Sequence, residues 1–173
     1  MSAAEPRRVW GYHQLGADTA ARIVAVAGIR PGDLVVDLGA GAGALTAPLV
    51  RAGARVIAIE LHPRRAEQLR RRFRDADVEV QGADLARCRL PAEPFRVVAN
   101  PPWALAETVR ARLLTTARMR RADLLVPRWL ARRWAAADPR ITSGISVRAE
   151  AFRPAAPTGA AVAVLRPGRS RRP

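Results

Sequence analysis

The segment "LVVDLGAGAGALTAPL" (34–49) places a short apolar run directly before three glycines at alternate positions. Residues 34–38 are typical of a buried strand, and a helix is predicted from the glycines to about Ala52. Gly39, Gly41 and Gly43 let a ligand approach backbone N–H groups closely at the point where the strand ends. A tight turn without a ligand seldom needs three glycines, so the segment predicts a ligand site.

Asp37, which lies just before the glycines, helps to decide between two kinds of ligand, a dinucleotide and a cationic cofactor. The spacing is compatible with the G-x-G-x-x-A pattern of dinucleotide sites, which bind a pyrophosphate. Asp37 would set a carboxylate against that anion. S-adenosylmethionine (SAM) has no phosphate and carries an ammonium and a sulfonium, so the acidic segment favours SAM as the cofactor.

Strands and helices alternate on both sides of this segment. Further strands are predicted at 55–60, 78–81, 95–100 and 122–126, with "ISVRAEAF" (145–152) and "AVAVL" (161–165) as a final antiparallel pair. Helices are predicted at 17–27, 64–73, 104–117 and 128–136. The pattern predicts an α/β fold with a mostly parallel, seven-stranded sheet and helices on both faces. We expect an arm (1–16), a catalytic domain (17–166) and a disordered basic tail (167–173).

Two acids follow neighbouring predicted strands. Glu60 ends the second strand, where an acid can accept the ribose hydroxyls of a nucleoside. Asp84 follows the third strand and can accept from an adenine amino group, with Leu85 packing on the ring. Leu61 completes this candidate cofactor set. A solvated strand-end acid and a loop aspartate that caps a helix are the alternatives.

The fourth strand ends abruptly in "ANPPW" (99–103). The two prolines donate no backbone hydrogen bond and stop the strand in one stiff conformation. The Asn100 side-chain oxygen and the Pro101 carbonyl can accept both hydrogens of an amine on a flat ring, and Trp103 can stack on that ring. We therefore predict methyl transfer by positioning, with Asn100, Pro101, Pro102 and Trp103 as the catalytic set and Asn100 also close to the cofactor. A proline-rich turn closed by a core tryptophan is the alternative.

The net charge of +15 favours an anionic partner, with nucleic acid ahead of a membrane. All thirty basic residues are arginine. One basic group lies in the third predicted helix and another runs from Arg118 to Arg133. The candidate RNA-binding residues are Trp10, Arg64, Arg65, Arg70, Arg71, Arg72, Arg132 and Arg133. A solvated helix face is the alternative for either group alone. Trp129 and Trp134 are expected to pack in the core or a groove.

The remaining features predict a soluble, cytoplasmic monomer. Cys88 is the only cysteine, which excludes an intramolecular disulfide. The first residues lack the apolar segment of a signal peptide, and no apolar run is long enough to span a bilayer. His13 and His62 have no metal-ligand spacing with each other or with Cys88, so no metal site is predicted.

The motifs "DLGAGAG", "VIAIELHP", "GADL" and "FRVVANPPW", in this order and spacing, resemble the N6-adenine rRNA methyltransferases, above all the erythromycin-resistance (Erm) group. The resemblance covers about residues 10–166 and implies that the predicted α/β fold is a Rossmann-like, SAM-dependent methyltransferase fold. It implies that the glycines hold the methionine part of SAM, Glu60 its ribose and Asp84 its adenine, while Asn100 to Trp103 hold the target adenine. The implied substrate is an adenine in the peptidyl-transferase loop of 23S rRNA, free or in an assembling subunit. Its methylation would block macrolides, lincosamides and streptogramin B.

The chain departs from the family pattern in three places. "WGYHQLG" (10–16) stands where the family closes over SAM, so Tyr12, His13 and Gln14 are assigned to the cofactor by region. The late F-x-P-P-P-x-V-D-S-A-V segment appears as "FRPAAPTGAAV", without its acid and serine. The sequence stops where most members add a small helical RNA-binding domain, as in short mycobacterial Erm proteins. A non-catalytic RNA-binding or ribosome-assembly protein stays open, as does methylation of another nucleic acid or of a protein glutamine.

Overall fold

The computed structural model describes residues 13–168. Its elements, in chain order, are β1 (Gln14–Leu15), α1 (Ala17–Ala27), β2 (Leu34–Leu38), α2 (Thr46–Arg51), β3 (Arg55–Ile59), α3 (Pro63–Arg72), β4 (Val78–Gln81), β5 (Phe95–Ala99), α4 (Ala106–Leu114), β6 (Met119–Pro127), α5 (Arg128–Ala137), β7 (Ile141–Val147), β8 (Phe152–Arg153) and β9 (Ala160–Leu165). Two short 3-10 turns cover Trp103–Leu105 and Ala149–Ala151. Within the described residues, no helix is long and apolar enough to cross a membrane.

Seven strands form one sheet in the order β4-β3-β2-β5-β6-β9-β7. The first four pairs are parallel, and β9 runs antiparallel to both β6 and β7. The fold prediction is therefore confirmed. β2 is buried along its whole length, which explains why "LVVDL" is a continuous apolar run broken only by its acid.

Helices cover both faces of the sheet. On one face α1, α2 and α3 pack through residues such as Ile23, Leu49 and Leu69. On the other face α4 and α5 pack through residues such as Leu113 and Trp134. In such a sheet ligands bind outside the carboxyl ends of the parallel strands, so the site is expected at the ends of β2, β3 and β5.

The predicted helix after the glycines begins later than expected. Residues 41–45 form turns, and the regular helix starts only at Thr46. Gly39, Gly41 and Gly43 have φ angles of 81°, 58° and 88°, a left-handed conformation that is incompatible with a right-handed helix. The glycines therefore form a loop that precedes the helix.

The segment "ISVRAEAF" is two elements and not one strand. β7 ends at Val147, and Phe152 lies in β8, which pairs with β1 in a separate two-stranded sheet. Phe152 and Leu15 face each other in this pair and both are buried. The burial of Leu15 joins residues 13–16, which the sequence analysis assigned to the arm, to the folded domain.

Candidate active site

A cavity of about 420 Å³ lies at the carboxyl ends of the central strands. Eleven of the predicted catalytic and cofactor-binding residues line it: His13, Gln14, Asp37, Gly39, Glu60, Leu61, Asp84, Leu85, Asn100, Pro101 and Pro102. They come from five separate segments of the chain, because the parallel strands end at the same edge of the sheet. The volume lies within the range of about 300–1,000 Å³ that is usual for small-molecule sites.

Glu60 ties the second strand to the glycine loop. Its Oε2 accepts a hydrogen bond from the Gly41 N–H at 2.9 Å, and its Oε1 accepts one from the His62 N–H at 2.8 Å. The side chain is buried, and the guanidinium of Arg65 lies 3.8 Å from Oε1. Each carboxylate oxygen has a second lone pair, so Glu60 retains the capacity to accept a ligand hydroxyl.

Asp37 is buried beneath the glycine loop. Its Oδ2 accepts a hydrogen bond of 2.8 Å from the hydroxyl of Thr46, the first residue of α2. Burial raises the pKa of Asp37 to about 7, and the charge of Glu60 adds to this rise while the bonds from Thr46 oppose it. Asp37 therefore changes its charge near neutral pH, in contact with the cavity that it helps to line.

The Asn100 amide is oriented by the amino-terminal segment. Its Nδ2 donates to the main-chain carbonyl of His13 at 3.0 Å. With the nitrogen held in this way, Oδ1 is the atom that can accept a hydrogen from a substrate amine. The geometry thus supports the acceptor role that the sequence predicts for Asn100.

Trp103 is the one member of the predicted catalytic set that does not line the cavity. Its ring lies 5.9 Å from Phe152 in an edge-on arrangement and 5.9 Å from the tilted His13 ring. Trp103 is partly exposed beside the corner that Asn100 begins. Its stacking on a target base stays a prediction.

The turn that carries Asp84 and Leu85 is held by a residue that sequence reasoning missed. Arg112, in α4, donates from Nη1 to the Leu85 carbonyl at 2.8 Å and from Nη2 to the Cys88 carbonyl. Its Nη1 also lies 3.2 Å from the Cys88 sulfur. Asp84 itself accepts from the Ala86 N–H at 2.9 Å, which closes the turn. The sequence gives only a weak indication of this role: Arg112 lies next to the apolar face of its predicted helix.

Two predicted methionine-binding glycines lie beside the cavity lining. Gly41 donates to Glu60, as described above, while Gly43 packs against α3. A Cβ atom at Gly43 would lie 2.8 Å from the Phe73 ring, which is too close. The packing of α3 against the loop therefore requires glycine at this position. At Gly39 an added Cβ would lie 3.2 Å from Pro102, so this glycine lets the loop and the catalytic corner come together.

The structure separates the predicted RNA-binding arginines. Arg64, Arg70, Arg71, Arg72, Arg132 and Arg133 are exposed, and Arg65 is half-buried. Arg65 and Arg72 also have contacts within the protein, and their RNA-binding role stays a prediction. Arg65 lines the cavity beside Glu60, and Arg72 donates to the Ala42 carbonyl at 2.6 Å while its guanidinium lies 5.0 Å from the Phe73 ring centre. Trp10 and Tyr12 lie outside the described residues.

The residues present fit SAM. The cavity lining combines the acids Asp37, Glu60 and Asp84 with apolar side chains such as Leu85 and Pro102. Acids complement the positive groups of SAM and accept from its ribose hydroxyls, and the apolar side chains suit its adenine ring. Among residues 13–168, no three His, Cys, Asp or Glu side chains are arranged to hold a metal ion.

Residues 16–156 match the ribosomal RNA adenine dimethylases. The chain belongs to this family. It is 37% identical over 121 residues to "Ribosomal RNA small subunit methyltransferase A" of Leifsonia xyli subsp. xyli, a match that covers 66% of this chain and 43% of the relative. It is 35% identical over 131 residues to the mycinamicin-resistance protein MyrB of Micromonospora griseorubida, covering 72% of this chain and 42% of MyrB.

The fold is also that of a solved family relative. The crystal structure of the 23S rRNA methyltransferase ErmE superposes with a TM-score of 0.82 and 26% identity, covering 90% of this chain and 70% of ErmE. Because the chain belongs to a family of SAM-dependent methyltransferases, the prediction of SAM as its cofactor is confirmed. The chain spans about two fifths of the length of the two curated relatives above.

Proposed function

We propose that this protein transfers a methyl group from SAM to N6 of an adenine in 23S rRNA. The observation that carries the proposal is the Asn100 amide at the cavity edge, whose nitrogen is held by His13 so that its oxygen is presented as an acceptor. When bound, SAM supplies a methyl group on a positively charged sulfur. The chain contributes position and hydrogen bonds, with no strong base required.

The roles of the chain's residues follow from this arrangement. Asn100 Oδ1 and the Pro101 carbonyl accept the two hydrogens of the adenine amine, which draws its lone pair out of conjugation with the ring. Glu60 and the Asp84 turn bind the cofactor's nucleoside. The proton that the amine loses on methylation leaves to water.

The choice of 23S rRNA rests on relatives. ErmE is a 23S rRNA methyltransferase, and MyrB is a mycinamicin-resistance protein. Methylation in the peptidyl-transferase loop would accordingly give resistance to macrolides, lincosamides and streptogramin B. Small-subunit rRNA is the second candidate, because the relative from Leifsonia xyli is named as a small-subunit methyltransferase.

The deciding experiment offers the purified protein both rRNAs with SAM. Mass spectrometry of nuclease digests identifies methylated adenosine, and primer extension locates it. Modification of 23S rRNA alone, with raised erythromycin resistance in cells that express the protein, is expected. Modification of 16S rRNA alone would favour the second candidate, and no methyl transfer despite SAM binding would favour a non-catalytic RNA-binding protein.

A further inference from the structure

Trp129 contradicts the expectation that it packs in the core or a groove. The side chain is 58% exposed at the start of α5, whereas Trp134, in the same helix, is buried as expected. The exposed indole follows Arg128 directly. Neither residue has a part in the cofactor site described above.

Arg128 and Trp129 lie at the carboxyl end of β6, which is the same end of the sheet as the candidate active site. β6 pairs with β5, in which Ala99 faces Leu124, and β6 continues for three residues to Pro127. Arg128 therefore lies on the neighbouring strand line, about 4.8 Å to the side of Asn100 and about three residues, or about 10 Å, beyond its level. Arg120, from the same basic group of the sequence, lies near the other end of the nine-residue β6, roughly 25 Å away at about 3.3 Å per residue. The arginines between Arg118 and Arg133, which are neighbours in the sequence, therefore lie at opposite ends of the strands.

The Arg128 guanidinium packs over a glycine and has no acidic partner. A Cβ atom added to Gly159 would lie 2.9 Å from its Nη2 and 3.4 Å from its Cζ, so the side chain lies directly over this glycine. Its Nε is buried with no hydrogen-bond partner. Across residues 13–168 no carboxylate lies within ion-pair distance of Arg128, whereas Arg121 and Arg133 pair with Asp123 and Glu107. A partly buried guanidinium with unmet donors is suited to an anion.

We propose that Arg128 and Trp129 form a second RNA contact beside the active site. The guanidinium binds a backbone phosphate, and the indole stacks on an unpaired base next to the target adenine. Exposed aromatic rings next to cations are how proteins hold single-stranded nucleic acid, and the net charge of +15 favours that partner. Arg132, exposed one turn further along α5, lies on the same side of the helix and extends the contact. The proposal rests on the proposed function in taking RNA as the substrate.

The first test measures RNA binding without SAM. The probe is a fluorescein-labelled single-stranded oligoadenylate RNA, followed by anisotropy at several salt concentrations. We expect Trp129→Ala to weaken binding about fivefold or more, Trp129→Phe to recover most of the affinity, and the RNA to quench tryptophan emission less in both variants than in the parent. Arg128→Gln is expected to weaken binding and lower the salt slope by about one, because one phosphate contact is lost.

The matched control is Arg120→Gln, which removes the same charge from the opposite end of β6. If Arg128→Gln and Arg120→Gln have equal effects, or if Trp129→Ala binds RNA as the parent does, the proposal is overturned. Thermal unfolding verifies that each variant is folded, and Trp129→Phe keeps the test decisive if the alanine variant is not.

The second test adds an acid to the site. Gly159 has no left-handed φ, and the atom nearest to an added side chain is the end of the flexible Arg128, so substitution is tolerated. Gly159→Asp places a carboxylate beside the guanidinium and is expected to bind RNA severalfold more weakly than Gly159→Asn, which has the same size and displaces the guanidinium equally. Equal affinities in the two variants would overturn the phosphate contact. All of these experiments measure RNA binding and not methyl transfer. If the protein binds RNA through Arg128 and Trp129 but methylates no rRNA, the proposed function is contradicted and the RNA contact is not.

Discussion

The side-chain nitrogen of Asn100 donates a hydrogen bond of 3.0 Å to the main-chain carbonyl of His13, 87 residues earlier in the chain. This bond connects the amino-terminal segment to the catalytic corner. It fixes which end of the amide is an acceptor, a point that neither "NPPW" nor "WGYHQLG" reveals alone.

Asn100→Ala is expected to abolish methyl transfer and leave SAM affinity nearly unchanged, because the proposed function gives the amide oxygen to the substrate amine and not to the cofactor. Calorimetry measures SAM binding, and transfer of labelled methyl groups to rRNA measures activity. Asn100→Asp is the sharper variant. It keeps an acceptor oxygen but cannot donate to His13, so its activity should also be strongly reduced. Parental activity in the alanine variant would contradict the catalytic assignment.

Glu60→Ala should weaken SAM binding by about 1–3 kcal/mol, because ribose hydroxyls and the N–H groups of Gly41 and His62 lose their acceptor. Isothermal titration with SAM measures the change. Glu67→Ala removes an exposed carboxylate from α3, which pairs with Arg71, and serves as the control. If both variants bind SAM equally well, Glu60 is not the ribose ligand.

Arg112→Gln should raise the dissociation constant for SAM about tenfold, because the charged hydrogen bonds that hold the Asp84 turn are each worth about 1.5–3 kcal/mol and are only partly replaced. The turnover rate at saturating SAM should change little, since Arg112 touches the turn and not the reacting groups. Cys88→Ala removes only the sulfur contact and is expected to bind SAM normally. A fall in turnover at saturating SAM with unchanged affinity would contradict this positioning role.

The sequence predicted well the features that depend on neighbouring residues. Apolar runs and strand-ending acids correctly predicted β2 to β5, and the parallel topology then brought Asp37, Glu60, Asp84 and Asn100 to one cavity. The helix start after the glycines was wrong, because three left-handed residues delay regular geometry until Thr46.

Features that depend on distant side chains were not predictable in this way. The Arg72 guanidinium reaches 30 residues back to the Ala42 carbonyl, a contact that the charge of Arg72 alone does not predict. The reach of Arg112 to Leu85 and Cys88 depends on how α4 packs against the loop. An arginine-rich sequence gives many candidates for such contacts, and only the tertiary fold distinguishes the structural ones from the solvated ones.

Asp37→Asn should change how stability depends on pH. Burial raises the folded-state pKa of Asp37 from 3.8 to about 7, so the folded state holds a proton that the unfolded state releases between these values. The contribution of Asp37 is therefore fully present below about pH 4 and is lost as the pH rises to about 7. Relative to the asparagine variant, the parent's free energy of unfolding should fall by up to about 4 kcal/mol over this range. Urea unfolding at several pH values measures the difference, and a difference independent of pH would contradict an ionisable, buried Asp37.

Replacing Arg70 and Arg71 with glutamine should weaken RNA binding most at low salt and lower the salt slope by about two. Both side chains are exposed on α3, and their ion pairs with Glu67 are surface pairs that hold them weakly. Phosphate contacts release counterions and carry no sequence information, so the choice of adenine should be unchanged in this variant. Arg72→Gln is the matched comparison on the same helix. Because Arg72 bonds to Ala42 in the glycine loop, its loss should weaken SAM binding and leave the salt slope of RNA binding nearly intact. Anisotropy against salt and calorimetry with SAM separate the two effects. A salt slope unchanged by the double substitution would remove α3 from the RNA-binding surface.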